Sequence, residues 1–399
     1  MQPETETENL LARPSESSTL SAKVVLLKNC IAPYFLPVLQ CLAASVSSLR
    51  VFVSTPMEAD RPWRPVWDGI DVIVQKSITS THRHVYKQGF ATTFFRHFPY
   101  DSLPLLCRYK PDVVVSAELG FRTMQAVAYR WSNSASRLIL WVDASEHTEA
   151  KIGYARTMIR KLLVRSADVV IVNGLSGSRY VQGLGISSEK IVAVPYVSDV
   201  SGVAEFSATP LVRSPGLARR LLYVGQLIER KGLQPFLQAL TRWSEGHQGE
   251  KCELWFVGDG PLRQVLERFP MPSGVELHFV GNVAYSELAP YYAQAGIVIL
   301  PCLADTWGLV VNEALAAGLP VFGSLYSQAV AELVQDGVNG WTFYPDRREE
   351  FQNALERALS TPDCALALMR ENARRSVQHL TARYSADQFL RAIRLAIDT

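Results

Sequence analysis

Runs that are apolar at every position constrain this chain most. Val169–Val172 reads VVIV and Ile297–Leu300 reads IVIL. A strand with one wet face alternates apolar and polar side chains, so a run without alternation predicts a strand covered on both faces. Similar short runs, most of them β-branched, lie at Lys23–Leu27, Arg50–Val53, Asp112–Val115 and Leu138–Trp141. Others follow at Arg220–Tyr223, Glu253–Val257, Glu276–Val280 and Val321–Phe322. Amphipathic stretches separate them throughout. Strand–helix alternation of this kind predicts α/β architecture with doubly wound parallel sheets.

With 399 residues, 48% of them hydrophobic, the chain is long enough for two such domains, each with its own core. The segment VSGVAEFSATPLVRSPG, at 200–216, is rich in Ser, Gly and Pro and lacks periodicity, as a linker does. The expected organisation is a tail at 1–22, a first domain at 23–199, the linker, a second domain at 217–382 and a closing helix at 383–399. The tail is polar and acidic and reads as disordered; it lacks the basic start and apolar stretch of a signal peptide. Val24 to Val46 is the most apolar long stretch, but Lys28, Asn29, Pro33, Pro37 and Gln40 would be costly in lipid, so a strand followed by a helix is expected there. The cysteines, Cys30, Cys41, Cys107, Cys252, Cys302 and Cys364, stand singly, without metal-ligand spacing. This favours a reducing, cytoplasmic compartment and predicts no zinc site.

A net charge of +2 argues against a generic nucleic-acid binder. From His82 to Arg165, however, thirteen Lys or Arg face six Asp or Glu, an excess of seven. Within that region Arg156, Arg160, Lys161 and Arg165 interleave with Met158, Ile159, Leu162, Leu163 and Val164. The expected reading is an ordinary packed helix with a wet basic face; peripheral contact with an anionic membrane is the alternative.

Three blocks of the second half carry chemistry. In LLYVGQLIERKG, Leu221 to Gly232, a strand ends before Gly225, and Arg230 and Lys231 follow at the mouth of a helix. Two cations at a strand's carboxyl end suit a diphosphate. In LWFVGDGPLRQVLE, Leu254 to Glu267, the glycines read chiefly as a strand-to-helix turn. In ILPCLADTWGLVVNEALAAGLPV, Ile299 to Val321, Gly308 opens a helix, so the amides of Gly308, Leu309 and Val310 form an anion site at its positive end. Glu313 lies in the second turn of that helix, placed to reach ribose hydroxyls. Asp305 stands eight residues earlier, in a loop facing a donor sugar.

The succession GQL…ERKG, VGDGP, FVGNV, DTWGLVVNEALAAGLPV and ELVQDGVNGW, from Leu221 to Phe343, resembles the C-terminal half of a glycosyltransferase family 4 enzyme. The resemblance implies a GT-B fold, two Rossmann-like domains facing across a cleft, and retention of anomeric configuration. By that likeness Arg230 and Lys231 hold the diphosphate of a UDP- or GDP-sugar. Gly225 belongs to the same loop, and Gly308, Leu309 and Val310 add backbone groups. Glu313 binds ribose, Asp305 contacts the donor sugar, and the base lies near Asn282 and Val283. The family carries two glutamates separated by seven residues; here Asp305 replaces the first, which shortens that side chain by one methylene. No Asp-x-Asp metal signature occurs, so metal independence and no cofactor are expected.

For the first half, the loop KNCIAPYFLPVLQCLA lacks the double glycine common in the family and carries Pro33 and Tyr34 instead. LILWVDASEHTEAK places Asp143, Glu146, His147 and Glu149 just past a buried strand, and SAELGFRT places Glu118 and Arg122 at another strand end. The resemblance suggests that a histidine or carboxylate here touches the transferred sugar or acceptor; a purely structural role for His147 is the alternative. The expected function is hexosyl transfer to a glycan or lipid-linked acceptor in cell-surface polysaccharide or glycoconjugate synthesis. The rivals are a nucleotide-sugar epimerase, a phosphorylase on the same architecture, or a non-catalytic nucleotide-sugar-binding partner protein.

Overall fold

The computed structural model describes residues 19–59, 61, 64–85, 91–149, 152–198 and 216–399. The expected linker lies almost wholly outside them, as does most of the expected tail. The first domain contains β1 (Leu20–Lys28), α1 (Leu36–Ala43), β2 (Val46–Val53), β3 (Asp71–Val74), β4 (Ser77–Val85), β5 (Ala91–Pro99), α2 (Ser102–Tyr109) and β6 (Val113–Ala117). It continues through α3 (Phe121–Ser132), β7 (Arg137–Val142), α4 (Tyr154–Arg165), β8 (Val169–Val172), α5 (Leu175–Leu184) and β9 (Ile191–Ala193). Seven strands form one parallel sheet in the order β3-β2-β1-β6-β7-β8-β9. Strands β4 and β5 stand apart as an antiparallel hairpin. The strand β1 begins at Leu20, inside the segment read from sequence as tail. The reason is pairing: the Leu20 amide donates to the Ser45 carbonyl at 2.9 Å, and Ala22 is buried.

The second domain contains β10 (Arg220–Val224), α6 (Leu233–Gly246), β11 (Cys252–Val257), α7 (Arg263–Glu267), β12 (Val275–Gly281), α8 (Ala289–Gln294) and β13 (Ile297–Leu300). It ends with α9 (Leu309–Ala316), β14 (Val321–Ser324), α10 (Gln328–Leu333), β15 (Gly340–Phe343), α11 (Arg348–Leu359), α12 (Asp363–Val377) and α13 (Ala382–Asp398). Its parallel sheet runs β12-β11-β10-β13-β14-β15. All four residues of β8 and of β13 are buried, which is why neither run alternates. Burying such a side chain contributes roughly 1.5–3 kcal/mol, so these strands anchor their sheets.

Strand order locates the cleft. In the first sheet β1 lies between β2 and β6; in the second β10 lies between β11 and β13. In the first sheet β1 leads to β2 and β6 to β7, on opposite sides, and in the second β10 leads to β11 and β13 to β14; the crevice opens between those strands, at their carboxyl ends. The helix α13 closes the molecule: it leaves the second domain and packs on the first, with the Phe389 ring 5.0 Å from Trp141 and 5.9 Å from Phe35.

Candidate functional site

In the second domain, a short turn at Glu229–Lys231 follows β10 and presents Arg230 and Lys231. Gly232 permits it: φ is +67°, and a Cβ there would stand 2.1 Å from the Pro301 carbonyl oxygen. The turn is thereby pressed against the end of β13, and the Leu303 amide donates to the Arg230 carbonyl at 2.8 Å. Asp305 then meets both cations. Lys231 Nζ lies 2.5 Å from Oδ2 and Arg230 Nη1 lies 3.1 Å from Oδ1, while Arg230 also donates to the Ala304 carbonyl at 3.0 Å. Burial alone would raise the Asp305 pKa. Lys231 first and Arg230 next overcome that effect and hold the carboxyl well below the usual carboxylate range.

The helix α9 starts four residues beyond Asp305. Gly308 is its N-cap, at φ +106°, where a Cβ would come within 2.9 Å of Leu300 Cδ2 and Ser327 Oγ. A glycine cap has no side chain to satisfy the first amides, and Leu309 and Val310 remain half-buried at the helix's positive end. Glu313 is one turn further in. It is buried, accepts from Tyr292 Oη at 2.9 Å and Ser198 Oγ at 3.2 Å, and is also bonded by Tyr285. Burial raises its pKa to about 7 against those hydrogen bonds.

The first-domain end of the cleft is built differently. Lys28, the last residue of β1, points its Nζ at the Trp141 ring, 3.8 Å from the centroid, with the Phe35 and Tyr196 rings at 5.3 and 5.9 Å. Burial lowers its pKa, and the charge of Asp143 opposes the shift. Asp143 accepts from Tyr196 Oη at 3.0 Å. Glu118 follows β6 in a left-handed conformation, at φ +70°, and accepts from Asn29 Nδ2 at 2.5 Å. Arg122 is buried and donates to Ser54 Oγ at 2.7 Å, to the Ala117 carbonyl at 3.2 Å and to Asn29 Oδ1. Among the described residues its Nε has no partner. Non-glycine residues with positive φ are uncommon and cluster at functional sites, where the surroundings hold the strain.

Two buried amides lock the domains together. Asn312 donates to the Tyr196 carbonyl at 3.1 Å and accepts from Trp307 Nε1 at 2.9 Å. Gln328 donates to the carbonyls of Asp143 (3.1 Å) and Thr306 (2.7 Å) and accepts from the Gly177 amide at 3.1 Å. His147 stacks on Tyr326 of the second domain, ring centroids 4.3 Å apart, and burial lowers its pKa, which favours the neutral ring.

The residues singled out from sequence therefore fall into three groups. Arg230, Lys231, Asp305, Gly308, Leu309 and Val310 converge, with Gly225 at the end of β10 and Glu313 behind them. Glu118, Arg122 and Asp143 converge at the opposite rim, where the Tyr34 ring lies edge-on to Tyr196 at 5.9 Å and burial pushes its hydroxyl up to about 12; Pro33 is exposed beside it. Glu146 does not join this cluster: its carboxylate is taken by Arg179 at 2.8 Å and Ser176 at 3.3 Å. Glu149 likewise pairs with Arg160 at 2.7 Å. Asn282 is exposed after β12, and Val283 is half-buried. Val283 also lines a cavity of about 760 Å³ beside α8, with Trp255 and Tyr291; Arg230, Lys231 and Asp305 take no part in it. Lys28, Asn29, Ser198, Tyr285 and Tyr292 were not singled out from sequence. Lys28 carries a readable signal, a lone charge ending the apolar run VVLL.

Residues 218–361 match the family described as glycosyl transferases group 1. Over 321 residues the chain is 24% identical to the sulfoquinovosyl transferase SQD2 of Arabidopsis thaliana, covering 71% of this chain and 59% of that protein. Over 144 residues it is 31% identical to an uncharacterized glycosyltransferase of Methanocaldococcus jannaschii, 36% of each chain. Over 228 residues it is 26% identical to the putative colanic acid biosynthesis glycosyltransferase WcaL of Escherichia coli, 54% of each. The chain thus spans about half the length of the relatives it matches. Among solved structures, the lipopolysaccharide outer core galactosyltransferase WaaB superposes with a TM-score of 0.67 at 14% identity, over 93% of this chain and 99% of that one. Anabaena HepE in complex with UDP does so with a TM-score of 0.66 at 16% identity, over the same shares. The fold is GT-B, and the match to the group 1 glycosyl transferases falls within the second domain.

Proposed function

We propose that the chain is a glycosyltransferase that moves a hexosyl group from a UDP- or GDP-sugar to a glycan or lipid-linked acceptor, with retention and without a metal ion. It would work in the cytoplasm, at the inner face of a membrane, in cell-surface polysaccharide or glycoconjugate synthesis. One observation carries the reading: two cations sharing one buried carboxylate stand beside a helix start that no side chain caps, at the switch point of a parallel sheet. A diphosphate leaving the anomeric carbon gains negative charge, and groups fixed where that charge grows lower the barrier by ~1.36 kcal/mol per tenfold of rate. Lys231 and Arg230 are fixed there by Asp305, so little reorganisation is needed when phosphate replaces part of the carboxylate's share. The UDP complex of the Anabaena neighbour supports a uridine donor by analogy of fold.

In this reading Glu313 takes the ribose hydroxyls in its ionised form, Asn282 and Val283 flank the base, and Asp305 contacts a sugar hydroxyl. The acceptor enters past Glu118, Asp143 and Lys28, and His147 closes that side against Tyr326. The acceptor's proton passes to the leaving phosphate or to a group in the site. A thermal-shift screen of nucleotide diphosphates and their sugars tests the donor, because a ligand bound to the native state raises the melting temperature. Turnover of the stabilising nucleotide sugar, by transfer or by slow hydrolysis, is expected. Binding without any turnover would replace the enzyme by a nucleotide-sugar-binding protein.

A further inference from the structure

The helix expected to pack as an ordinary basic helix buries only part of its apolar residues. In α4 only Leu163 and Val164 are buried. Tyr154, Met158 and Leu162 recur at every fourth position and are 80%, 46% and 54% exposed, and Ile159 is exposed beside them. The neighbouring α3 repeats the pattern: Phe121, Met124 and Trp131 face outward, Trp131 being 65% exposed. A water-facing helix stripe is normally polar, and exposed apolar side chains gathered on two neighbouring helices mark an interaction surface.

Charge selects the partner. The sequence of α4, YARTMIRKLLVR, holds four cations and no acid. Arg160 turns inward to Glu149 and to Tyr180 Oη, 2.5 Å away. Among the described residues no ion pair forms on Arg156, Lys161 or Arg165. Arg96 of the hairpin lies close enough for Arg156 and Arg160, after burial, to lower its pKa, so like charges gather at the start of α4. The surface also has a place in the fold: Phe121 opens α3 three residues after Glu118, so the apolar face begins at the first-domain rim of the cleft.

We propose that the outward faces of α3 and α4 dock on an anionic lipid bilayer, with Trp131, Tyr154, Met158 and Leu162 entering the interface and Arg156, Lys161 and Arg165 meeting lipid head groups. Aromatic and aliphatic residues flanked by Lys and Arg are the composition that an interfacial helix requires. The surface is independent of the transferase reading; that a lipid-borne acceptor reaches Glu118 and Asp143 from it rests on that reading.

Co-sedimentation of the full chain with vesicles tests the proposal, using phosphatidylcholine alone and an equimolar mixture with phosphatidylglycerol. Binding to the anionic vesicles, weakened by salt, is expected. Replacing Arg156, Lys161 and Arg165 together by Ala should weaken it on the order of a hundredfold, from about fivefold per cation. A Tyr154→Ser/Leu162→Ser variant should bind either vesicle less, with an unchanged melting temperature. No preference for anionic vesicles, or both variants binding like the parent, overturns the proposal. So does a dimer in solution that the apolar variant dissociates while vesicles are ignored, which would make this face a contact between two copies. UDP and GDP binding is measured on the same samples: its absence with vesicle binding intact would sink the transferase reading and leave the docking surface standing.

Discussion

The two ends of the cleft share a topology and differ in how they hold charge. In the second domain Arg230, Lys231 and Asp305 neutralise one another within 3.1 Å. In the first, Lys28 faces aromatic rings, Arg122 is held by an amide, a hydroxyl and a carbonyl, and Glu118 is held by Asn29. A mutually paired set stays ionised when buried and presents fixed positive charge to an incoming diphosphate. A set held by neutral groups and rings suits a ligand with many hydroxyls and little charge. On the proposed reading, the donor belongs at the second-domain end and the acceptor at the first-domain end.

The largest effect should come from Lys231→Ala. Removing one fixed positive group from the developing charge typically costs ~10²–10³ in kcat, and steady-state turnover of the identified donor reads it. Asp305→Ala comes next, because it leaves two half-buried cations uncompensated. A loss of about 3 kcal/mol in urea unfolding is expected. The pH sign follows: the Asp305 pKa is depressed in the fold, so its stabilisation is complete above the ordinary carboxylate range and is lost as pH falls through and below it. An Asp305→Asn variant should lack that acid-limb slope.

Glu313 should show the opposite slope. Its pKa is raised to about 7 from 4.5, so the protein loses stability as pH rises between those values and no further beyond them. Glu313→Gln should remove the slope and be the more stable protein at alkaline pH by on the order of 1–3 kcal/mol. Its KM for the donor should rise at the same time. Gain without loss would separate Glu313 from the ribose. The smallest effect is expected at the acceptor end. Glu118→Gly relieves a left-handed backbone, offsetting the lost Asn29 bond to within about 1 kcal/mol. Transfer should slow while donor hydrolysis and UDP affinity stay unchanged; loss of UDP affinity would break the division between the two ends.

What was legible in the sequence follows from burial. The runs at 169–172 and 297–300 match strands residue for residue, since both faces are covered. The edge strands Asp71–Val74 and Ile191–Ala193 have only four and three residues, and the first is exposed or half-exposed throughout, so neither gives a buried run long enough to read. The polar hairpin SITSTHRHV/ATTFFRHFP hides for the same reason. At the site, the residues between Leu221 and Glu313 were readable because one strand–turn–helix unit fixes each. Glu146 and Arg160 were misjudged because their partners, Arg179 and Glu149, are set by packing and not by spacing. Tyr196, Ser198, Tyr285 and Tyr292 reach the cleft from loops and a short helix whose positions only the folded chain defines.

On the proposed reading Lys231, Arg230 and the start of α9 together hold a nucleoside diphosphate without a divalent ion. Calorimetric titration of UDP and of GDP into the parent protein and Lys231→Ala, in excess EDTA, tests it most directly. One of the two nucleotides is expected to bind the parent under chelation and to bind the variant at least tenfold more weakly. Binding that appears only when magnesium is restored, or an affinity that Lys231→Ala leaves unchanged, would contradict it.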